Sequence, residues 1–183
     1  MPKPKLKTAY IVLFRGVGDA TQLPVAPLRE ALTTAGFESV ATYINSGNAV
    51  LHSHLHRDKV IASVAKICAE KFEFTKAIYA PTLEEWDALI ANNPFPDFKE
   101  GKHLHAVVLA GDPPKGAVEA LREHAVEGEA IEFVESVVYL HTPFGLGTSK
   151  LGEKFDKGIG VANTARNWNT VLKLQELAQK AAG

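Results

Sequence analysis

Residues 40–51 read VATYINSGNAVL, and this stretch decides the fold of the first half of the chain. Two runs rich in β-forming residues, 40–44 and 49–51, flank the tetrapeptide Asn45-Ser46-Gly47-Asn48. Asparagine, serine and glycine between two such runs turn a chain back on itself as a β-hairpin. The elements on either side of this hairpin therefore determine the topology.

Each side of the hairpin contributes one strand and one amphipathic helix. Strands are predicted over residues 7–14 and 74–80, both rich in β-branched and aromatic side chains. Apolar residues at helical spacing mark a helix on each side, and they are Leu28, Ala31, Leu32 and Ala35, then Ile61, Val64, Ala65, Cys68 and Phe72. The resulting order, β-α-β-β-α-β, is the ferredoxin-like pattern, in which two helices cover one face of an antiparallel sheet.

The second half repeats this order of elements. Thr82 and Glu85 form a capping box that predicts a linking helix over 83–92, followed by a linker over 94–101. Strands are then predicted over 104–109, 130–134, 137–141 and 161–164, with helices over 113–125 and 149–157 and a final helix from about Trp168. The predicted fold class is α+β, with two ferredoxin-like halves that contain antiparallel sheets, plus a linking helix and a C-terminal helix. We expect the halves to be residues 1–93 and 102–183 and to form one compact unit.

Composition excludes several classes of protein. Lys plus Arg is 20 and Asp plus Glu is 21, so the formal net charge of −1 provides no broad basic surface for a nucleic acid or an anionic membrane. The longest apolar run, residues 9–14, is too short to cross a bilayer, and Arg15 ends it before any signal-peptide cleavage site. A single cysteine, Cys68, allows no intrachain disulfide, which favours a cytoplasmic location.

The most unusual local composition is TARNWNT, residues 164–170, at the predicted start of the last helix. Free backbone N–H groups and the positive end of the dipole make a helix start suitable for an anion. Arg166 has the geometry to bind a phosphate or carboxylate, and Trp168 offers a stacking face. The alternative interpretation is that Asn167 or Asn169 caps the helix while Trp168 fills the core.

Three other segments carry weaker signals. The stretch Gly145-Leu146-Gly147-Thr148-Ser149-Lys150 resembles a phosphate-binding loop in composition but lacks the Walker pattern, and a glycine turn with a serine cap is the simpler interpretation. The loop after the first strand lacks the G-x-G-x-x-G dinucleotide pattern. The alternating His52, His54 and His56 have no acidic or cysteine cluster beside them. The sequence therefore predicts neither a metal nor a cofactor.

Several of these stretches together resemble one bacterial family, domain of unknown function 1697. They are the segments IVLFRG (11–16), TYINSGN (42–48), NPF (93–95) and ARNWNTVLKL (165–174). The resemblance extends from the first strand to the last helix, and it implies a two-part α+β fold of ferredoxin-like halves without implying any reaction. The positions that match the family's motifs are Arg15, Ser46, Asn48, Ser149, Lys150, Arg166, Asn167, Trp168 and Asn169.

One loop departs from the family pattern. Family members carry a longer loop after the first arginine-glycine, with asparagine, paired glycines and lysine, whereas residues 17–22 here read VGDATQ. If that loop helps to bind an anion, the resemblance implies that this chain binds it less well.

Three hypotheses about function follow. In the first, the chain binds a small anionic or nucleotide-like ligand near the start of the last helix, through the ligand-binding residues Arg15, Ser46, Asn48, Lys150, Arg166, Asn167, Trp168 and Asn169. In the second, it is a non-enzymatic interaction module, with a homodimer as one form, whose strand edges pair with another chain. The third is weak binding of single-stranded nucleic acid through Lys3, Lys5, Lys7 and the Arg166–Trp168 segment. Catalytic residues are unknown, because no nucleophile, base and orienting group come together in the sequence.

Overall fold

The computed structural model describes residues 5–17, 23–43 and 47–183. The expected contributions of Lys3, of Ser46 and of loop residues 18–22 lie outside this part of the chain. The described residues form two four-stranded antiparallel sheets flanked by helices. The chain divides into a first unit, residues 1–87 and 173–183, and a second unit, residues 88–172.

The first unit has the predicted ferredoxin-like order. Its elements are β1 (Thr8–Phe14), α1 (Val25–Thr34), β2 (Glu38–Tyr43), β3 (Asn48–Ser53), α2 (Arg57–Phe72) and β4 (Ile78–Tyr79). The strand order is β2-β3-β1-β4, so β1 lies between β3 and β4 and is antiparallel to both. The predicted linking helix is α3 (Leu83–Ala91), and its capping box is present, with Glu85 N–H donating to Thr82 Oγ1 at 3.1 Å.

The second unit repeats that order. A 3₁₀ turn (Gly101–His103) leads to β5 (Leu104–Leu109), α4 (Ala117–Arg122), β6 (Ala130–Val134), β7 (Val137–His141), α5 (Lys150–Ile159) and β8 (Asn163–Asn167). The strand order is β6-β7-β5-β8, so β5 occupies the position that β1 has in the first sheet. The final helix, α6 (Trp168–Ala182), begins at the predicted residue.

In each unit, two helices cover one face of the sheet. Tyr10, Val12 and Phe14 of β1 pack against apolar side chains of α1 and α2, and Val107 of β5 packs against those of α4 and α5. Fully burying one such side chain stabilises a protein by roughly 1.5–3 kcal/mol. Successive residues of a strand point to opposite faces, so the odd-numbered residues of β1 point away from α1 and α2. We call the face opposite the two covering helices the far face of each sheet.

Three predicted boundaries were wrong for local reasons. The strand expected over 74–80 is only Ile78–Tyr79, because α2 ends with Glu73 in the left-handed region and Phe74 N–H bonds to Cys68 O. The helix expected over 113–125 is only Ala117–Arg122, because prolines 113 and 114 have no N–H and Gly116 at the N-cap is left-handed. The last strand runs from Asn163 to Asn167, not over 161–164, because its backbone pairs with β5 although its side chains are polar.

Candidate functional site

Arg15 lies at the end of β1, on the far face of the first sheet. Its backbone N–H continues the sheet by bonding to Ala77 O at 3.0 Å. Phe14 points into the core beneath α1 and α2, so the alternation of the strand directs Arg15 to the opposite face together with Leu13. Arg15, a partly buried residue, therefore lies at the rim of the far face.

Tyr79 is the neighbour of Arg15 that the sequence analysis did not identify. It pairs with Leu13 across β1 and β4, which makes Arg15 its diagonal neighbour on the same face. Only 9% of the Tyr79 residue surface is exposed, and among the described residues its buried hydroxyl has no hydrogen-bond partner. Burial raises the pKa of this hydroxyl, while the positive charge of Arg15 lowers it. An unsatisfied buried hydroxyl thus lies within the field of a guanidinium.

Lys76 and Gly16 meet at the same strand end. The Lys76 ammonium donates a hydrogen bond to Gly16 O at 3.2 Å. Gly16 adopts a left-handed conformation with φ of 73°, and a Cβ there would lie 2.8 Å from Lys76 Cδ and 3.0 Å from Nζ. A residue with a side chain at position 16 would therefore displace the lysine.

The hairpin identified from the sequence packs against the same end of β1. Asn48 is buried and pairs with Leu13 on the side away from Tyr79, so the register is Asn48–Leu13–Tyr79 across three strands. Asn48 Nδ2 donates to Tyr43 O at 3.4 Å, and Phe14 N–H bonds to Gly47 O at 2.9 Å. The structure therefore brings together Arg15 and Asn48 of the predicted set and adds Lys76 and Tyr79.

Arg166 lies on a strand instead of at a helix start, which corrects the sequence analysis. It pairs with Ala106 in β5, whose neighbour Val107 faces α4 and α5, so Arg166 belongs to the far face of the second sheet. Its Nη1 donates to Thr164 Oγ1 at 2.7 Å and to Ala165 O at 2.8 Å. The guanidinium is therefore partly engaged by its own strand.

One polar side chain at the start of α6 is also engaged locally. Asn167 Oδ1 accepts a hydrogen bond from Thr170 N–H at 3.0 Å, which caps the helix. This bond occupies one of the backbone donors that an anion at the helix start would need. Asn169 is exposed, and its side chain lies close to Gly101, where a Cβ would come within 2.1 Å of Oδ1.

Trp168 is a core residue of the second unit. Only 4% of its surface is exposed, and its ring lies 6.0 Å from that of Phe98 and 6.4 Å from that of Tyr139, between ring centroids. Its burial leaves almost no ring surface for a ligand. We therefore do not retain Trp168 as the wall of a site.

Ser149 and Lys150 begin α5. Ser149 Oγ accepts a hydrogen bond from Gly152 N–H at 3.1 Å and is the N-cap of the helix. Lys150 is the first residue of the helix and its side chain is exposed. Ser149 is therefore a helix cap and Lys150 a surface lysine. In no described contact does a neighbouring base position Ser149 as a nucleophile.

Histidines cluster at one end of the second sheet. A cleft of about 300 Å3 is lined by Asp97, Lys99, Glu100, His103, His141 and Pro143. Burial and the charge of His103 lower the pKa of His141, and the same two causes lower the pKa of His105 to about 4. Within the described part of the chain, no three His, Cys, Asp or Glu residues are arranged to hold a metal.

The remaining thiol is unsuited to nucleophilic chemistry. Cys68 lies on the buried side of α2, and burial raises the pKa of its thiol to about 11. A cysteine reacts as its thiolate, so this side chain is inert at neutral pH. No helix among the described residues is long and apolar enough to span a membrane.

Comparisons with known proteins give a family and a fold. The model of a family described as "Protein of unknown function (DUF1697)" matches residues 7–139. Among solved structures, the chain is similar to "conserved bacterial protein SP0830 from Streptococcus pneumoniae", with 20% sequence identity and a TM-score of 0.71. That match covers 94% of this chain and 99% of the other, and it supports the two ferredoxin-like halves. No curated protein matches the sequence.

Proposed function

This chain belongs to the DUF1697 family of proteins of unknown function, and we propose that it binds a small anionic ligand, of which a nucleotide is one kind, at the end of β1. The binding groups in this proposal are Arg15, Tyr79 and Asn48. We call this set the β1-end site. The site differs from the sequence-based hypothesis in its location, since that hypothesis placed the ligand near the start of α6.

The observation that carries this proposal is the Tyr79 hydroxyl. A buried polar group without a partner costs roughly 1–3 kcal/mol, and folded proteins rarely keep one without a reason. Tyr79 is the diagonal neighbour of Arg15 on the same face of the sheet, and the positive charge of Arg15 lowers the pKa of its hydroxyl. A ligand oxygen that carries negative charge would accept from the hydroxyl and interact with the guanidinium at once, which suits an anion better than a neutral ligand.

The second unit supplies the contrast that supports this location. Arg166 donates to Thr164 and Ala165, and Asn167 caps α6. Binding an anion there would require these internal hydrogen bonds to be exchanged for bonds to the ligand. Exchanging internal hydrogen bonds for bonds to the ligand yields little net free energy. A ligand that accepts a hydrogen bond from the Tyr79 hydroxyl adds a bond where the described residues provide none.

Two of the four strand edges give the interaction-module hypothesis less support. At the β6 edge of the second sheet, Arg122 donates to Ile131 O at 3.2 Å and so occupies a carbonyl of β6. At the β2 edge of the first sheet, β2 has an irregular register between Glu38 and Ala41, with Ser39 in the left-handed region. Bulges and charged side chains at edges oppose pairing with another chain.

Nucleic-acid binding receives no independent support. Lys7 of the N-terminal lysine group forms an ion pair with Glu38, which neutralises one of its charges. Trp168 is buried and so offers no stacking platform.

Thermal denaturation with a panel of anions tests the proposal. The panel contains nucleotides, phosphorylated metabolites and small carboxylates, with short oligonucleotides for the alternative. A ligand at about 100 times its Kd adds roughly 2.7 kcal/mol to the free energy of unfolding, which a melting curve detects. We expect at least one small anion to stabilise the wild type, and we expect Arg15→Met to abolish that stabilisation.

The matched control is Arg29→Met. Arg29 is an exposed arginine of the same unit that donates only to Thr42 Oγ1 among its described contacts, at 3.3 Å. This variant should retain the full ligand response. Tyr79→Phe should fold normally and bind about tenfold more weakly, since it lacks one charge-assisted hydrogen bond. A folded Arg15→Met protein that keeps the wild-type response to every ligand would overturn the proposal.

A further inference from the structure

Resting on the proposed β1-end site, we propose that Gly47 is a positioning residue of that site, because the space left by its missing side chain holds the backbone of Arg15 in place. The sequence predicts Gly47 only as a turn residue of the hairpin. In the structure it lies immediately before β3, where its backbone contacts the end of β1. The inference therefore adds a residue that acts on the ligand through Arg15.

The peptide unit that joins Phe14 to Arg15 is held by both neighbouring strands. Towards β4, Arg15 N–H bonds to Ala77 O at 3.0 Å. Towards β3, Phe14 N–H bonds to Gly47 O at 2.9 Å, which extends the pairing of β1 with β3 by one residue. The backbone that precedes the Arg15 side chain is therefore fixed from two sides.

Gly47 allows this close packing because it has no side chain. Its φ of 77° lies in the region that favours glycine, and a Cβ there would lie 2.7 Å from Val17 Cγ2 and 2.9 Å from Phe14 O. The Val17 side chain can change rotamer, whereas Phe14 O is a backbone atom of the peptide unit that carries Arg15. An alanine at position 47 would therefore displace the end of β1 together with Arg15.

The pKa of Tyr79 reports the position of Arg15 without any ligand. Tyr79 is the diagonal neighbour of Arg15 across β1 and β4, and the positive charge of Arg15 lowers the pKa of the Tyr79 hydroxyl. Because the interaction between two such groups weakens with the distance between them, moving Arg15 away raises this pKa. A change in general stability alone does not.

The test measures the pKa of Tyr79 in the full chain without ligand. Incorporation of 3-fluorotyrosine gives a ¹⁹F signal for each of the four tyrosines, and Tyr79→Phe identifies the signal of Tyr79. We expect Arg15→Met to raise this pKa, because it removes the charge that lowers it. We expect Gly47→Ala to raise it as well, by no more than Arg15→Met does. Circular dichroism verifies that each variant is folded.

The matched control is Gly36→Ala. Gly36 lies in the same unit with a φ of 97°, and apart from its chain neighbours an added Cβ would meet no atom of the described residues within 4 Å. This variant therefore strains the backbone as Gly47→Ala does, but without the contact on β1. We expect both variants to lose stability and only Gly47→Ala to change the pKa of Tyr79.

Binding gives a second readout. An anion of the panel that stabilises the wild type should bind Gly47→Ala about tenfold more weakly, because a displaced guanidinium no longer meets the ligand in the right place. The same anion should bind Gly36→Ala with unchanged affinity. Unchanged affinity in a folded Gly47→Ala would overturn the inference.

A second variant applies if Gly47→Ala does not fold. In Val17→Ala/Gly47→Ala the closest contact, with Val17 Cγ2, is removed, while the contact with Phe14 O remains. We expect this double variant to fold and to raise the pKa of Tyr79. If both variants are unfolded, Gly47 is required for the fold and its assignment as a positioning residue is wrong.

The failures of the two proposals are distinguishable. If Arg15→Met raises the pKa of Tyr79 and a folded Gly47→Ala does not, the role of Gly47 is wrong and the β1-end site stands. If no anion of the panel stabilises the wild type, the proposed function is wrong, and the pKa of Tyr79 still decides whether Gly47 positions Arg15. If Arg15→Met leaves this pKa unchanged, Arg15 and Tyr79 do not interact and both proposals fall.

Discussion

The two sheets have the same strand order but differ in how the polar groups of their far faces are satisfied. In the second unit, Arg166 donates to its own strand and the hydroxyl of Tyr139 donates to Leu89 O at 2.6 Å. In the first unit, the Tyr79 hydroxyl is buried and has no partner among the described residues. One unit uses its tyrosine and arginine for internal bonds, and the other leaves the tyrosine unsatisfied.

This difference shows where to look for a site in a fold that occurs twice in one chain. The backbone topology is shared, so it does not distinguish the units. The polar groups of the far faces distinguish them, because a group that is already bonded inside the protein gains little from a ligand, and an unsatisfied one gains a full bond. Outside the far faces, His105 Nδ1 and Thr142 Oγ1 of the second unit also have no partner among the described residues.

The largest expected effect is the loss of stability of the second unit in acid. It is an exception to the comparison of the two units, because it arises from a buried group of the second unit. His105 lies in β5, its buried Nδ1 has no partner among the described residues, and burial together with the charge of His103 lowers its pKa to about 4. The unfolded chain binds the proton near pH 6.5, so the unfolded state holds more protons between these values. Stability is therefore complete above about pH 6.5 and decreases by about 3 kcal/mol as the pH falls to 4.

Urea denaturation at pH values from 7.5 to 4 measures this loss. We expect His105→Leu to flatten the pH dependence of the free energy of unfolding, whatever its effect on stability at pH 7.5. Hydrogen exchange at pH 4.5 should show protection lost first in β5 and β7. The lowered pKa of His141 acts in the same direction and leaves a residual slope in the variant. Equal slopes for the wild type and His105→Leu would contradict the prediction.

The next largest effects are the changes in stability when the hydroxyl group is removed from each of the two tyrosines. Tyr139→Phe removes the donor for Leu89 O and leaves that carbonyl buried, so we expect a loss of about 1–3 kcal/mol. Tyr79→Phe removes a hydroxyl that has no described partner, so in the absence of ligand we expect stability to stay the same or rise by up to about 1 kcal/mol. Both substitutions remove the same group, the tyrosine hydroxyl, so the two changes in stability can be compared directly.

Urea denaturation of the two variants, without ligand and at pH 7.5, decides between these expectations. A comparable loss in both would mean that the Tyr79 hydroxyl has an internal partner, and the main support for the β1-end site would disappear. A loss in neither would mean that the bond from Tyr139 to Leu89 O contributes no net stability.

Most of the fold was predictable because periodicity and turn chemistry are local signals. The strands β5, β6 and β7 have the predicted bounds, and α6 begins at Trp168 as expected. The errors occur where tertiary pairing overrides composition. The residues of β8 read NTARN, which has no strand pattern, yet their backbone groups complete the edge of β5.

The candidate site was less predictable because it depends on contacts between distant residues. Arg15 and Asn48 were identified from sequence motifs, but Tyr79 and Lys76 lie about 30 to 60 residues away in the chain and carry no motif of their own. The ferredoxin-like order contained a usable signal, because it places β4 beside β1. That order does not determine the register of the two strands, so the pairing of Tyr79 with Leu13 comes from the structure alone.

The smallest expected effect concerns the two arginines. Arg166→Met removes hydrogen bonds to Thr164 Oγ1 and Ala165 O, and we expect it to lower the free energy of unfolding by about 1 kcal/mol and to leave the thermal stabilisation by a small anion unchanged. Arg15→Met should abolish that stabilisation. Urea denaturation, and thermal denaturation with the anion panel, measure the two quantities for both variants. If Arg166→Met also abolished binding while remaining folded, the hydrogen bonds within β8 would have to yield to the ligand, and the site near the start of α6 would return as the better location.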